Sequence, residues 1–422
     1  MLVVGAWPAA ARTADLVPIE PLVAQARRAG LRILTGEHLV LVTDRPERAG
    51  DGVADLPEVF DDASATWCRH FGIDPARLAE WRCFGCLVVD RETFRNAGLL
   101  PPEIPPFDNG FCDRNRFWLV DQSNPAYRRH LLLHEGVHAF TITVRDAAAP
   151  AWYMEGIAEL LATHRLAADG RLVATPIPAA PADVEQLGRI ESLARRRRDG
   201  TLPRLADVFA LPPATHGDVS GYAACWAAAA LFTRHPTYAA AFAAAEKEPL
   251  DMRFTDRFLA AAEQPLTERD FAAFLDDVDY AVEPERMAID WSPGRPLRSR
   301  MRCTVDGTRG WVNTGARAEA GDRIAFAATG RITVGDADGM PLESEADGIS
   351  IAWYRGRPVG RLLVAQWSDD DTRAGFEVLA TGGRGDFTAS RSGPIYVKVN
   401  DPPRSLPDNT GGYRLTLEPA AR

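Results

Sequence analysis

Two histidines and a glutamate, about a third of the way along the chain, have the side-chain types and the spacing to bind a metal ion and use it in catalysis. His134, Glu135 and His138 stand in the order His-Glu-Gly-Val-His. Residues four apart on a helix project from the same face, so both imidazoles can bind one zinc ion while Glu135 handles a water molecule beside it. The alternative is an amphipathic helix with two hydrogen-bonded histidines, because so short a pattern also arises by chance.

A second acidic motif follows within a short stretch of chain. The residue pattern from Trp152 to Leu160 predicts a helix that starts after the break at Ala149-Pro150. This helix carries Glu155 and Glu159. Zinc in a hydrolase normally has three protein ligands and one position for water. A helix-turn-helix return brings Glu155 towards the histidines as the third ligand. Glu159, one turn further, is placed to accept a hydrogen bond from a ligand imidazole and so fix its orientation. Two ordinary surface glutamates are the alternative.

The two motifs together resemble the gluzincin metallopeptidases, in which HExxH is followed by a glutamate in a second helix. Over about residues 30–280 the chain is similar to bacterial peptidase-MA-like proteins. The resemblance implies zinc-dependent hydrolysis of peptide bonds in a peptide or protein substrate. It implies that His134, His138 and Glu155 are the zinc ligands and that Glu135 is the general base. It also implies that Glu159 does not bind the zinc ion but contacts a ligand histidine.

The resemblance also implies a tyrosine that stabilises the oxyanion. Tyr222, at the start of an alanine-rich helix, is in the matching place, and a tyrosine that merely packs in the core is the alternative. The glycine-x-methionine-glutamate-asparagine motif that holds a substrate's free amine is not found in the sequence. An aminopeptidase or an epoxide hydrolase of the same superfamily is therefore disfavoured, and the choice between endopeptidase and exopeptidase stays open.

The elements around these residues change character along the chain. Strands are predicted at 32–44, 83–90 and 117–120, helices at 56–72 and 91–99, and the His134 helix over 126–143 after the capping sequence Ser123-Asn124-Pro125. Residues 151–280 are predicted to be almost entirely helical. Beyond 300, short strands at 323–328, 349–354, 361–366, 395–399 and 413–417 alternate with glycine turns, which is typical of a β-sandwich.

The fold class predicted from these elements is α+β and multidomain. A zincin-like α/β part precedes a helical part of the same catalytic domain, and an antiparallel β-sandwich follows. The predicted divisions are an N-terminal segment at 1–30, an α/β subdomain at 31–150, a helical subdomain at 151–285, a linker at 286–300 and the sandwich at 301–422.

The sandwich contains a second segment rich in metal ligands. Side chains of Asp401, Ser405, Asp408 and Asn409 are hard oxygen donors, which suits calcium. Composition alone favours a polar hairpin loop, since these residues are common in turns. The segment resembles the loop of the small calcium-dependent galactose-binding bacterial lectins, and the resemblance implies calcium bound there. Residues 343–348 lack that family's sugar contacts, which counts against sugar binding and leaves glycan or surface targeting as a hypothesis.

Composition limits the partners. The chain of 422 residues has 48 basic and 58 acidic residues and a formal charge of −10, which argues against nucleic acid as the main partner. No apolar stretch is long enough to span a membrane. Leu2 to Ala11 is apolar and small but lacks a positive start, so it fits a signal peptide without its beginning or a plain flexible terminus. Export to an extracytoplasmic or secreted location is favoured, with the cytoplasm as the alternative.

Six cysteines do not form a dense framework, and the pair Cys83 and Cys86 lies in a strand-like run. We interpret them as buried structural residues. The main rival to the peptidase hypothesis is a non-catalytic, metal-containing binding or adhesion protein in which the sandwich carries the function. Glu135 favours catalysis, because a structural metal site needs no general base.

Overall fold

The computed structural model describes residues 16–184, 188–212, 219–262, 267–370 and 373–420. It has a mixed α+β fold with several sheets, which confirms the coarse fold class. The chain divides into two compact units. The first takes in Met1–Leu193, Leu205–Thr233 and Tyr238–Glu263, and the second takes in Ala194–Arg204, Arg234–Thr237 and Gln264–Arg422. The signal-like residues lie outside the described part of the chain.

A five-stranded sheet forms the first half of the first unit, in the order β1-β2-β3-β5-β4. Its elements are α1 (Ile19–Arg28), β1 (Arg32–Thr35), β2 (Leu39–Thr43), α2 (Leu56–Phe71), β3 (Cys83–Val88), α3 (Arg91–Asn96), β4 (Gly110–Asp113) and β5 (Arg116–Val120). β2, β3 and β5 are parallel, and the outer strands β1 and β4 are antiparallel to their neighbours. β2 and β3 are buried along their whole length, as expected for strands covered on both faces.

Cys83 and Cys86 are both buried in β3. Because they are three residues apart on a strand, their side chains point to opposite faces of the sheet and cannot bind one metal ion together. Burial raises the pKa of both thiols well above the ordinary value, which keeps them protonated. The interpretation of these cysteines as structural residues agrees with this environment.

The two helices that carry the metal motifs follow the sheet. α4 (Pro125–Val144) begins at Asn124, whose side chain accepts hydrogen bonds from the first free backbone amides, and Pro125 occupies the first helical position. α5 (Ala151–Ala162) begins after Pro150. Gly136 lets α4 lie close to α2, because a Cβ there would come within 2.6 Å of the Phe60 ring.

Two predictions about local structure were wrong. The single strand predicted over 32–44 is a hairpin of β1 and β2, which turns at Gly36. The segment predicted to be almost entirely helical contains the hairpin of β6 (His164–Leu166) and β7 (Leu172–Ala174). Asp169 and Gly170 stand at its tip, and Gly170 adopts φ +84. An Asp-Gly pair is a hairpin signal that overrides the helical propensity of the alanines around it.

The rest of the first unit is helical. Its elements are the start of α6 (Arg189–Asp199), α7 (Leu205–Phe209), α8 (Val219–Arg234), α9 (Ala239–Lys247) and α10 (Phe254–Ala261). α5 and α8 lie in close contact at Gly156, where a Cβ would come within 2.6 Å of the carbonyl oxygen of Cys225. This close approach brings the first turns of α8 next to the helix that carries Glu155.

The second unit contains α11 (Thr267–Asp277) and two five-stranded sheets. Its strands are β8 (Arg295–Pro296), β9 (Met301–Asp306), β10 (Val312–Ala318), β11 (Arg323–Ala337), β12 (Met340–Ser344), β13 (Ile349–Tyr354), β14 (Arg357–Val359), β15 (Leu362–Asp370), β16 (Arg373–Thr381), β17 (Arg384–Thr388), β18 (Gly393–Val399) and β19 (Thr410–Pro419). One sheet has the order β16-β15-β18-β10-β8, and the other the order β12-β11-β19-β9 with β17 beside β11. β13 and β14 form a separate hairpin.

Both large sheets contribute to one apolar core, which contains Ile324 and Leu415 from one sheet and Val364 and Val397 from the other. Each of the five strands predicted beyond residue 300 overlaps an observed strand. In the region predicted as a linker, Trp291 donates to Asp270 at 2.7 Å and its ring contacts that of Trp367. None of the helices within the described ranges is long and apolar enough to span a bilayer.

Candidate metal centre

Three side-chain atoms converge where α4 and α5 meet. Nε2 of His134 and Nε2 of His138 are 3.1 Å apart. Oε2 of Glu155 lies 3.2 Å from the first and 3.5 Å from the second. All three residues are buried, and among the described residues they form one of two His/Glu groups whose geometry could hold a metal ion.

The spacing of these atoms fits a single tetrahedral ion. Metal–ligand distances of about 2.0–2.2 Å place neighbouring ligand atoms of a tetrahedron about 3.3–3.6 Å apart. The three observed separations, 3.1, 3.2 and 3.5 Å, form one face of such a tetrahedron. Oε2 of Glu155 accepts no well-formed hydrogen bond from the described residues, despite its burial. A buried carboxylate oxygen that faces two imidazole nitrogens is satisfied by a cation that all three bind.

Electrostatics in the cluster favour bound positive charge. Burial raises the pKa of Glu155, but the charge of His138 and the close contacts with both imidazoles outweigh it and leave the pKa below its usual range. Burial lowers the pKa of His134, and the nearby carboxylates of Glu155 and Glu159 reverse this and raise it to about 10. The carboxylates of Glu155 and Glu159 therefore favour a positive charge at this point, which either a proton on His134 or a bound metal ion can supply.

Glu159 lies behind the ligands on α5, one turn after Glu155. Its Oε1 is 3.2 Å from Nδ1 of His134, the ring nitrogen that faces away from the converging atoms. Its Oε2 is 3.4 Å from Nε2 of His130. Arg189 donates to both oxygens of Glu159, at 2.8 and 2.7 Å. Burial raises the pKa of Glu159, but the charge of Arg189 followed by that of His130 lowers it far below the usual range.

Glu135 follows His134 on α4 and is buried. Its burial raises the pKa of the carboxyl group, and the nearby histidines only partly oppose this. The edge strand β4 approaches it closely, since a Cβ added to Gly110 would lie 2.4 Å from Oε1 of Glu135. A carboxylate with a raised pKa beside a candidate metal centre is suited to take up and release a proton.

Tyr222 stands in the first turns of α8. Its ring centroid is 5.9 Å from that of His134, at 76°. The guanidinium of Arg189 lies 5.6 Å from the same tyrosine ring. The sequence-predicted residues His134, Glu135, His138, Glu155, Glu159 and Tyr222 thus all lie in one region of the first unit.

The oxygen-rich segment of the second unit surrounds a short 3-10 turn, Pro403–Asp408. Nδ2 of Asn409 donates to Oδ2 of Asp401 at 2.9 Å, and Oδ1 of Asn409 is buried without a hydrogen-bond partner among the described residues. Burial raises the pKa of Asp401 to about 7, which the hydrogen bond from Asn409 only partly opposes. Ser405 lies inside the turn, and Asp408 is exposed at its end.

Sequence reasoning missed three residues of the centre. Arg189 comes 30 positions after Glu159 in a segment without a motif. Gly110 gives no signal of its closeness to Glu135. His130 is one turn before His134 and lies against Glu159, in the second His/Glu group together with His134.

Comparison with known proteins adds three similarities to solved structures. No protein-family model matches the chain, and no curated protein matches it. The EclA N-terminal domain, a PllA-like lectin, is 19% identical and covers 29% of this chain and 98% of its own, with a TM-score of 0.22. PliG of Aeromonas hydrophila, a periplasmic inhibitor of g-type lysozyme, is 11% identical over 32% of this chain and 96% of its own, with a TM-score of 0.18.

The third similarity is to the IMPa metallopeptidase from Pseudomonas aeruginosa. It is 11% identical, covers 91% of this chain and 37% of its own, and has a TM-score of 0.15. At such TM-scores none of the three carries an argument about fold or function.

Proposed function

We propose that the chain is a zinc-dependent metallopeptidase of the gluzincin type, with a zincin-like first unit. The observation that carries the proposal is the convergence of His134, His138 and Glu155 at separations of 3.1, 3.2 and 3.5 Å. Two imidazoles and one carboxylate are the ligand set of several catalytic zinc sites, which keep a further position for water. When bound, zinc would acidify that water and polarise the scissile carbonyl.

The residues around the ligands supply the other parts of a hydrolytic reaction. Glu135 takes a proton from the attacking water and passes it to the leaving amine, a role that its raised pKa supports. Oε1 of Glu159 lies 3.2 Å from Nδ1 of His134, and this contact keeps Nε2 facing the other two candidate ligand atoms. Tyr222 donates a hydrogen bond from its hydroxyl group to the oxyanion of the tetrahedral intermediate, a contribution of about 3 kcal/mol in comparable sites.

The experiment compares metal content and cleavage in the purified full chain. We expect about one zinc per chain in wild type and in Glu135→Gln. In a peptide-library digest read by mass spectrometry, we expect cleavage by wild type that falls about 100- to 10,000-fold in Glu135→Gln. Glu248→Gln, at an exposed position of the same unit, is the matched control and should cleave like wild type.

Two outcomes would overturn the proposal. Zinc bound by wild type without any cleavage that depends on Glu135 would favour the rival hypothesis, a non-catalytic metal-containing binding protein. No zinc bound by wild type would remove the site assignment altogether. The cleavage products would also identify the preferred bond and separate endopeptidase from exopeptidase activity.

For the second unit we propose a lectin-like β-sandwich that binds calcium at the Asp401 loop. The supporting observation is a buried pair: the Asp401 carboxylate, whose pKa burial raises to about 7, and Oδ1 of Asn409, which has no hydrogen-bond partner among the described residues. Carboxylate and amide oxygens are ligands that calcium prefers, and Ser405 and Asp408 would complete the set. Such a unit would target the peptidase to a glycan or a surface of an extracytoplasmic or secreted protein.

Calcium titration of the full chain tests this second proposal. We expect calcium at millimolar concentration to raise the melting temperature of wild type and to leave Asp401→Asn unchanged. Glycan-array binding that requires calcium would support targeting. If wild type takes up no calcium at millimolar concentration, the loop is a polar turn and the proposal fails.

A further inference from the structure

The carboxylate of Glu159 has more partners than one ligand imidazole requires. Besides His134, it meets His130 at 3.4 Å and both donors of Arg189 at 2.8 and 2.7 Å. The side chain of Glu159 is 2% exposed and that of Arg189 is 11% exposed. Two parallel hydrogen bonds from a planar guanidinium fix the plane of a carboxylate as well as its position.

This arrangement also decides between the two His/Glu groups of the first unit. His130, His134 and Glu159 have ligand atoms close enough to hold a metal ion. Both oxygens of Glu159, however, already accept from the permanent cation of Arg189. A divalent ion at that position would stand beside the guanidinium and be repelled by it. We conclude that Arg189 fills the electrostatic role of a cation at this second group.

Arg189 has a second contact in the centre. Its guanidinium lies 5.6 Å from the ring centroid of Tyr222, within the range of a cation–π interaction. The Tyr222 ring in turn lies 5.9 Å from that of His134. One side chain from α6 therefore contacts both the carboxylate that orients a ligand histidine and the tyrosine beside that histidine.

We propose that Arg189 is a positioning residue of the metal centre. It holds the Glu159 carboxylate in the plane in which Oε1 lies 3.2 Å from Nδ1 of His134, and it holds the Tyr222 ring against the same site. This inference rests on the proposed function, because it assigns Arg189 a role in a zinc centre. It goes further by placing in the centre a residue of α6, which no sequence motif marks.

The experiment measures zinc affinity by competition with a chromophoric chelator. We expect Arg189→Met to bind zinc about ten- to hundred-fold more weakly than wild type, the loss usual when an outer partner of a ligand histidine is removed. Arg189→Lys should lose less, because an ammonium keeps the charge but cannot bridge both carboxylate oxygens. The visible absorption bands of the cobalt-substituted protein should shift in Arg189→Met, since the orientation of His134 changes.

A double-mutant cycle tests whether Arg189 acts through Glu159. In the Glu159→Gln background, Arg189→Met should no longer weaken zinc binding. Arg45→Met is the matched control, because Arg45 also bridges two carboxylates of the first unit, those of Asp51 and Asp121, with a side chain 19% exposed. We expect Arg45→Met to lower the melting temperature without changing zinc affinity or the cobalt spectrum.

The outcomes separate this inference from the proposed function. If wild type holds no zinc, both fall together. If wild type holds one zinc and folded Arg189→Met binds it within twofold of wild type with an unchanged cobalt spectrum, only the inference falls. An equal loss in the Glu159→Gln background would also overturn it. Should Arg189→Met fail to fold, the cobalt spectrum and zinc affinity of Arg189→Lys decide in the same way.

Discussion

Two buried clusters of charged residues, one in each unit, have different electrostatic balance. In the first unit His134, His138 and Glu155 direct three candidate metal-ligand atoms at one point, and Oε2 of Glu155 has no well-formed hydrogen bond within the part of the chain that the structure describes. In the second unit the oxygens of Asp277 are each paired, one with Lys398 at 2.6 Å and the other with Arg355 at 3.0 Å.

The comparison shows why similar residues have different uses. The Asp277 cluster is satisfied by permanent cations of the chain, which overcome the effect of burial and lower the pKa of Asp277. The imidazoles of the first cluster are better metal ligands when neutral, and their carboxylate then lacks a counter-charge. A buried carboxylate that is paired with lysine and arginine side chains has a structural role. A cluster in which imidazole and carboxylate lone pairs point at one position favours binding of a metal ion.

The largest expected effect comes from removing one ligand of the first cluster. His138→Gln should weaken zinc binding about a thousand-fold, or about 4 kcal/mol, since each of three ligands supplies about a third of a zinc binding energy of 10–16 kcal/mol. Zinc content after dialysis against a weak chelator is the measurement. Lys398→Met is the control from the second cluster and should keep its zinc. A full zinc content in His138→Gln would break the distinction between the clusters.

Next in size is the loss of one cation from the second cluster. Lys398 and Asp277 have side chains only 5% and 4% exposed. Lys398→Met should destabilise the folded chain by about 3 kcal/mol, because it leaves a buried carboxylate with one cation instead of two. Denaturant unfolding measures this.

The matched change is Arg300→Met, at an ion pair with Glu418 on the surface. The side chains of Arg300 and Glu418 are 60% and 41% exposed, so Arg300→Met should lower the free energy of unfolding by less than about 1 kcal/mol. Equal losses in the two variants would show that the buried cluster contributes no more than a surface pair.

A smaller effect on cleavage is expected from a substitution at Gly110, which tests how closely the position of Glu135 is fixed beside the first cluster. In Gly110→Ala the new Cβ would stand 2.4 Å from Oε1 of Glu135, so this carboxylate must move. Cleavage should fall about ten- to hundred-fold, the cost of misplacing a reacting group by about 1 Å. Zinc content should stay at the wild-type value. Gly393→Ala, where no atom lies within 4 Å of the added Cβ, should change neither quantity.

The smallest predicted effect is a pH dependence in the first unit. His164 is buried, its Nε2 accepts from Arg129 at 3.3 Å, and burial, His130 and Arg129 lower its pKa to about 4. Because the unfolded chain binds this proton from about pH 6.5 downwards and the folded chain does not, stability falls as the pH drops from 6.5 towards 4. Between pH 6.5 and 5.5 the loss is about 1 kcal/mol.

Denaturant unfolding of wild type and His164→Asn at the two pH values tests this dependence. The variant should lose about 1 kcal/mol less between pH 6.5 and 5.5, because it has no imidazole to protonate there. Identical pH dependence in both proteins would contradict the prediction.

Local sequence signals predicted much of the candidate centre. Asn124 and Pro125 mark the start of α4, and the spacing of His134 and His138 places both imidazoles on one helix face. Pro150 separates α4 from α5 and predicts the return that brings Glu155 to the histidines. These predictions succeed because helix starts, helix ends and the period of 3.6 residues depend on neighbouring residues alone.

Other features depended on contacts that have no local signal. The hairpin at residues 164–174 was missed because alanine-rich flanks favour helix while its Asp-Gly turn and its packing favour strands. The packing of α6, α4 and β4 brings three further residues to the candidate centre: Arg189 and His130 lie against Glu159, and Gly110 lies against Glu135. No sequence motif connects the members of these pairs.

The amino-acid sequence by itself determined which residues of this protein can ligate a metal and on which helices they stand. Only the tertiary structure decided that Glu159 faces Arg189 as well as His134, that Glu135 lies against the edge strand, and that the Asp277 cluster has its own cations. The physical reason is that helical periodicity acts between neighbours along the chain. Whether a buried charged side chain has a partner of opposite charge depends instead on which distant residues the fold brings into contact with it.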